Sequence, residues 1–129
     1  MKIKPSPRPF RYDLGPRGET MACRYLKDNG FKIRERNYRC AIGEMDLIAE
    51  KAGRIHFVEV KTRDSVRFGK PEEAVDKKKQ TKLCRVAAWY LKKTGSTDQS
   101  VSIDVISISL NQGSSEIRFI PNAVELRDE

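Results

Sequence analysis

The chain has 129 residues, 38% of them hydrophobic and 34% charged, and its formal net charge is +8. This length suits one domain with one hydrophobic core, and no apolar run approaches the roughly 20 residues of a membrane span. The positive charge favours a polyanionic partner, either nucleic acid or an anionic membrane surface, although a merely solubilising surface would carry the same charge.

Residues 1–14 are predicted to form a flexible basic arm, because four Lys or Arg residues stand among three prolines. The arm lacks the apolar centre of a secretory signal. The three cysteines are far apart in sequence, which disfavours a disulfide framework and a CxxC zinc site. We therefore expect reduced thiols and a cytoplasmic protein.

The rest of the chain predicts helices and strands in the order α-β-β-β-α-β-β. Apolar residues at helical spacing predict a helix over 17–29, and alternation predicts strands over 31–38, 44–51 and 54–62. After a loop over 64–71, a long helix begins at Glu72 or Asp76 and ends at Thr94. Strands over 102–110 and 116–120 follow, and a short tail from Pro121 is expected to form one helical turn. The order implies a single α/β domain over 15–129, with a mixed sheet of about five strands flanked by helices.

Two acidic residues are predicted to face each other on the hairpin formed by the second and third strands. With Ala52-Gly53 as a two-residue turn, Asp46 falls opposite Glu59, where side chains have Cβ atoms about 5 Å apart. Opposed carboxylates repel, and a cation between them removes that repulsion. Their oxygen atoms suit Mg²⁺ or Mn²⁺.

Lys61 lies on the same face as Glu59, one pleat further along the strand. There it could orient the attacking water or neutralise charge that develops on a phosphate. An ordinary surface ion pair is the alternative for these charged residues. Because Ile55 and Phe57 continue the face of Glu59, the charged residues prolong an apolar stripe, which favours a functional site.

Two further polar residues lie on apolar helix faces. Glu19 leads Ala22 by three positions and Leu26 by seven, so it is expected to point inward as a third acidic group; a stabilising role at the start of the helix is the alternative. Gln80 precedes Leu83 by three positions and could bind a phosphate or a water, or could be a satisfied interior amide.

These motifs together resemble a known family. The matching segments are Arg17-Gly18-Glu19, Arg36-Asn37-Tyr38-Arg39, Gly43-Glu44-Met45-Asp46-Leu47-Ile48, Phe57-Val58-Glu59-Val60-Lys61-Thr62-Arg63, Lys79-Gln80 and Asp104-Val105. The chain resembles the YraN family of bacterial predicted endonucleases, which is similar to archaeal Holliday-junction resolvases in the PD-(D/E)XK nuclease superfamily. Met45, where the family more often has Ile, is a minor departure.

The resemblance implies a restriction-endonuclease-like fold and assigns a role to each site residue. Asp46, Glu59 and the carbonyl of Val60 would be metal ligands, and Lys61 would be the catalytic lysine. Glu19 would be an auxiliary acid and Gln80 an active-site polar residue.

Basic side chains near this site are candidate phosphate contacts. They are Arg17, Arg36, Arg39, Arg63, Arg67, Lys78, Lys82 and Arg85. Trp89 lies beside the basic face of the long helix, where it would stack a base, fill a dimer interface or be covered by lysine stems.

Two functions follow as hypotheses. The first is a Mg²⁺- or Mn²⁺-dependent endonuclease that hydrolyses DNA, including branched or structured DNA, as a homodimer if both strands are cut symmetrically. The second is a non-catalytic nucleic-acid-binding accessory protein with a vestigial site. Binding to a membrane surface is disfavoured, because the arm has little apolar face.

Overall fold

The computed structural model describes residues 14–63, 76–111 and 113–126. They form two helices and five strands in the predicted α-β-β-β-α-β-β order: α1 (Leu14–Asp28), β1 (Lys32–Arg39), β2 (Glu44–Lys51), β3 (Arg54–Arg63), α2 (Lys77–Lys93), β4 (Ser100–Asn111) and β5 (Ser114–Val124). The predicted loop over 64–71, together with Arg67 and residues 1–13 of the arm, lies outside the described residues. No described helix is long and apolar enough to cross a membrane.

The five strands form one mixed sheet in the order β1-β2-β3-β4-β5. β3 and β4 are parallel, and the other neighbours are antiparallel. The parallel pair needs a crossover connection, and α2 lies in the connection between them. The sequence prediction of a mixed α/β sheet flanked by helices is confirmed.

The two faces of the sheet bury two separate apolar clusters. On one face, α2 packs Leu83, Val86 and Tyr90 against a cluster that includes Ile55 and Phe57 of β3. The opposite face has its own cluster, formed by side chains of α1 and of β2, β3 and β4, including Ala22, Leu26, Val58 and Ile106. Successive residues of β3 therefore serve different faces, as strand alternation requires.

The β2–β3 hairpin has the predicted two-residue turn. Ala52 and Gly53 both have positive φ angles, 50° and 80°, as a type I′ turn requires. Gly53 adopts this conformation without steric cost, whereas a side chain at its position would be strained. The resulting register pairs Lys51 with Arg54 and continues to Leu47 and Val58.

Several element boundaries differ from the predictions. α1 begins at Leu14, before the expected start, and Pro16 fits its first turn because the first N–H groups of a helix have no intrahelical partner. The predicted helical turn after Pro121 is wrong, since β5 continues to Val124. A register shift between Ile103 and Val105 and a positive φ of 51° at Asn122 let the strand extend beyond the proline.

Candidate functional site

The β2–β3 hairpin brings the two predicted carboxylates together. The paired positions end at Leu47 and Val58, and one step further Asp46 and Glu59 are neighbours. The Asp46 carboxylate accepts a hydrogen bond from the backbone N–H of Val60 at 2.8 Å. Because the N–H and C=O of a strand residue point to the same side, the Val60 carbonyl also faces the Asp46 strand.

The surroundings of Asp46 strongly perturb its pKa. Burial raises the pKa of Asp46 to about 7, and the negative charge of Glu59 adds to the increase. The hydrogen bond from Val60 acts in the opposite direction, and Glu19 raises this pKa further. The neighbouring carboxyl groups therefore repel each other, and a positive charge between them would relieve the repulsion.

Two lysines approach the buried Glu59 carboxylate. Lys61, from the same strand, places its Nζ 3.8 Å from Oε2 of Glu59, which confirms the predicted shared face. Lys79, from the first turn of α2, is closer, with its Nζ 2.6 Å from the same oxygen. Only 7% of the Glu59 side chain is exposed, whereas the side chains of Lys61 and Lys79 are 23% and 42% exposed.

The two ammonium groups respond differently to this environment. Burial lowers the pKa of Lys61, and the positive charge of Lys79 lowers it further, against the attraction of Glu59. Burial also acts to lower the pKa of Lys79, but its hydrogen bond and ion pair with Glu59 outweigh burial and raise the pKa. Lys79 is therefore the more firmly charged partner of Glu59.

Lys79 lies in the candidate site, although the sequence prediction includes it only within the Lys79-Gln80 motif and assigns it no role. Lys79 precedes Leu83 by four positions and Val86 by seven, so it continues the apolar stripe of α2 at its N-terminal end. This spacing indicates an inward-facing position. The run Lys77-Lys78-Lys79, however, is typical of the solvent-exposed start of a helix and favours the opposite interpretation. Asp76 caps α2 by accepting the backbone N–H of Lys79 at 2.8 Å, which fixes this turn.

The carboxylates open into a cleft of about 700 Å³ between the β1–β2 connection and the start of α2. Its lining includes the acids Glu19, Glu44, Asp46, Glu59 and Asp76 and the bases Arg39, Lys78, Lys79 and Lys82. Acidic groups thus lie beside bases that project from both walls. A cleft of this kind can hold a cation together with an anionic ligand.

Glu19 reaches the cleft because α1 begins close to β3. Gly18 is buried, and a Cβ atom at its position would collide with Oγ1 of Thr62. Glycine is therefore required for this close approach, and it places the next residue, Glu19, at the cleft wall. The predicted inward orientation of Glu19 is confirmed by its place in the cleft and its effect on the pKa of Asp46.

The other predicted site residues occupy different positions. Gln80 is half-buried on α2 but does not line the cleft. Among the predicted phosphate contacts, Arg39, Lys78 and Lys82 line the cleft. Arg63, half-buried, ends β3. The remaining described members are exposed side chains on α1, β1 and α2, and they are Arg17, Arg36 and Arg85.

Trp89 lies outside this cleft. It is half-buried, and the Nζ of Lys93 lies 5.7 Å from the centre of its ring. This contact agrees with the interpretation that lysine side chains cover the indole.

The donor set around Asp46 fits a small divalent cation. No three His, Cys, Asp or Glu side chains of the described ranges form a metal-binding group. The available donors are two carboxylates and one backbone carbonyl, which suits Mg²⁺ because this ion commonly takes one or two carboxylates and keeps several waters. A cation bound there would relieve the mutual repulsion of Asp46 and Glu59.

A second buried polar cluster lies on the other face of β3. Nδ1 of His56 lies 2.7 Å from Oδ2 of Asp104, and Oγ of Ser102 lies 3.1 Å from the same ring nitrogen. A Ser-His-Asp catalytic triad places the serine and the acid on different ring nitrogens. The shared nitrogen therefore argues against a triad at His56.

Comparison with known proteins identifies the family. A model described as "Uncharacterised protein family UPF0102" matches residues 18–108. A UPF0102 protein of Syntrophomonas wolfei is 49% identical over 86% of this chain and 96% of its own length. UPF0102 proteins of Moorella thermoacetica and Geobacter metallireducens are 44% and 43% identical, over 76% and 88% of this chain and 82% and 93% of their own lengths. The chain therefore belongs to the UPF0102 family, which is the YraN family that its motifs resemble.

Proposed function

We propose that this protein is a metal-dependent endonuclease that hydrolyses phosphodiester bonds in DNA, including branched or structured DNA. The observation that supports it best is the juxtaposition of Asp46 and Glu59, which line a cleft with basic walls, with Lys61, whose Nζ lies 3.8 Å from Glu59. Three apolar side chains at these positions would stabilise the fold better than two acids and a lysine, so the charged residues indicate a functional role. They combine a cation site with a positive group beside it.

Each side chain has a distinct role in the proposed reaction. Asp46 and Glu59, with the Val60 carbonyl, would hold Mg²⁺ or Mn²⁺. When bound, the cation would supply Lewis-acid polarisation of the phosphate and a more acidic water. Lys61 would orient the attacking water and neutralise charge that develops on the phosphate oxygens. Glu19 would add negative charge beside Asp46, which strengthens the attraction for a cation.

Basic residues of the cleft would hold the substrate. Arg39 projects from β1, with 77% of its side chain exposed, and Lys78 and Lys82 project from α2 on the facing wall. Phosphate contacts of this kind position a nucleic acid without reading its sequence. We therefore expect selection by the shape of the DNA, with an affinity that falls steeply as salt increases.

The experiment is cleavage of end-labelled duplex, flap, single-stranded and four-way-junction DNA. Each reaction contains Mg²⁺, Mn²⁺ or a chelator, and Glu59→Gln, purified identically, controls for contaminating nucleases. We expect products with wild-type protein and a divalent cation, and at least about 100-fold less product with Glu59→Gln. Substitution of residues that only support a metal ligand already lowers metal affinity or activity about 10- to 100-fold. Equal cleavage by both proteins would contradict the assignment of the site.

A second candidate function is a non-catalytic nucleic-acid-binding accessory protein. The specific observation in its favour is the 2.6 Å ion pair between Lys79 and Glu59, which neutralises one proposed metal ligand within the protein itself. This candidate predicts measurable DNA binding without Mg²⁺ or Mn²⁺ binding. Calorimetric titration of the metal, beside a DNA-binding assay, distinguishes the two functions.

A further inference from the structure

The contact between Lys79 and Glu59 occupies the proposed cation site. The Lys79 ammonium lies 2.6 Å from Oε2 of Glu59, a distance typical of a charge-assisted hydrogen bond. Lys61 approaches the same oxygen but stays at 3.8 Å. Among the described residues, these two lysines supply the ion pairs of Glu59.

Charge balance argues against both lysines staying in place when a divalent cation is bound. Two ammonium groups and one divalent ion would set four positive charges against the three carboxylates of Asp46, Glu59 and Glu19. Like charges at such distances in a half-buried site repel strongly. One ammonium group must therefore move away, or the cation binds more weakly than its ligands allow.

Lys79 is the lysine that can leave. Its side chain is 42% exposed, compared with 23% for Lys61, and its flexible stem starts from the first turn of α2 at the cleft wall. Rotation of that stem returns the ammonium to solvent with little loss of packing. Lys61 instead projects from the strand that also carries Glu59, and its less exposed side chain has less freedom to move into solvent.

We propose that Lys79 is an internal cation that neutralises Glu59 in the metal-free protein and competes with the divalent cation for this carboxylate. The proposal rests on the metal site of the proposed function. It adds a regulatory property to that site, because the ion pair between Lys79 and Glu59 must break before the metal binds Glu59, and this requirement lowers the metal affinity. Lys79 thereby stabilises the metal-free fold and weakens the affinity for the metal.

The test is isothermal titration of Mn²⁺ into the full chain at constant pH and ionic strength. Lys79→Met removes the ammonium group and keeps the stem. Lys78→Met is the matched control, because Lys78 lines the same cleft on the preceding position of the helix. Glu59→Gln defines binding that does not involve the site, and circular dichroism with a second variant, Lys79→Gln, controls for misfolding.

We expect Lys79→Met and Lys79→Gln to bind Mn²⁺ about fivefold more tightly than wild type, as the loss of a partly exposed ion pair allows. Lys78→Met should change the affinity by less than about twofold, because the ion pairs of Glu59 are formed by Lys61 and Lys79 and not by Lys78. Equal effects of Lys78→Met and Lys79→Met would overturn the competition and leave the metal site intact. Equal Mn²⁺ binding by wild type and Glu59→Gln, or none by either, would overturn the metal site itself.

Discussion

The two faces of β3 bury acids in opposite ways. On one face, Asp104 is fully buried, and its oxygens are taken by Nδ1 of His56 at 2.7 Å and by the backbone N–H of Asn122 at 2.9 Å. On the other face, Asp46 and Glu59 are neighbours and open into a cleft of about 700 Å³. Both faces contain a buried acid beside a basic side chain.

The difference shows that the surroundings of a buried acid indicate its role. The Asp104 carboxylate has its partners supplied by the protein, and its hydrogen bonds connect β3, β4 and β5. In the cleft, Lys79 and Lys61 approach Glu59. Asp46, however, lies beside this second carboxylate, and burial and the charge of Glu59 raise the pKa of Asp46 to about 7. A satisfied acid stabilises the fold, whereas an acid that is left repelled marks a site for an external ligand.

Asp104→Ala is expected to have the largest effect on stability. It leaves His56 and the Asn122 N–H without the Asp104 acceptor, and each buried group left without a hydrogen-bond partner costs about 1–3 kcal/mol. Urea denaturation measures the loss, with the exposed Asp98→Ala as the control. If Asp104→Ala were as stable as Asp98→Ala, the contrast between the two faces would be lost.

Lys61→Met is expected to lower the cleavage rate by about 10²–10³-fold, as the loss of one group that stabilises transition-state charge does. Metal affinity should change much less, because the Lys61 ammonium lies 3.8 Å from Glu59 and Lys79 is the closer partner. Single-turnover cleavage and Mn²⁺ titration separate the two quantities. An unchanged rate would remove Lys61 from the reaction, and the exposed Lys92→Met serves as the control.

Gly18→Ala is expected to destabilise the fold by about 1–3 kcal/mol, the usual effect of overpacking. The new Cβ would meet Oγ1 of Thr62, so α1 must shift away from β3 and carry Glu19 with it. Thermal denaturation measures the loss, and Thr62→Ala in the same chain should restore part of it. No recovery in the double variant would show that this contact is not the cause.

Asp46→Asn is expected to stabilise the metal-free protein at pH 8 by up to about 1 kcal/mol, because it removes one of two opposed like charges. The folded-state pKa of Asp46 is raised from an ordinary value of about 4 to about 7, so folding binds a proton between these values. Wild type therefore loses stability as pH rises from about 4 through about 7, and Asp46→Asn lacks this loss.

Urea denaturation at pH 5 and pH 8 in chelator measures this difference. The two proteins should be closest in stability at pH 5 and should separate at pH 8. A difference that is the same at both pH values would show that the charge of Asp46 is not its origin.

The sequence by itself determined the order of the elements, the core faces and the register of the β2–β3 hairpin. These properties follow from local periodicity, and a two-residue turn fixes which residues face each other across the hairpin. The pairing of Lys51 with Arg54 places Asp46 beside Glu59 without reference to the rest of the chain.

Only the tertiary structure decided which side chains from distant segments meet. Lys79 reaches Glu59 from α2, Gly18 contacts Thr62 from α1, and Asp104 binds the backbone of Asn122. Each contact joins residues that lie at least 18 positions apart in sequence, and Asn122 also explains why β5 continues beyond Pro121. Such contacts depend on how helices and strands pack together, and periodicity within one element indicates which face is buried but not which distant residue it meets.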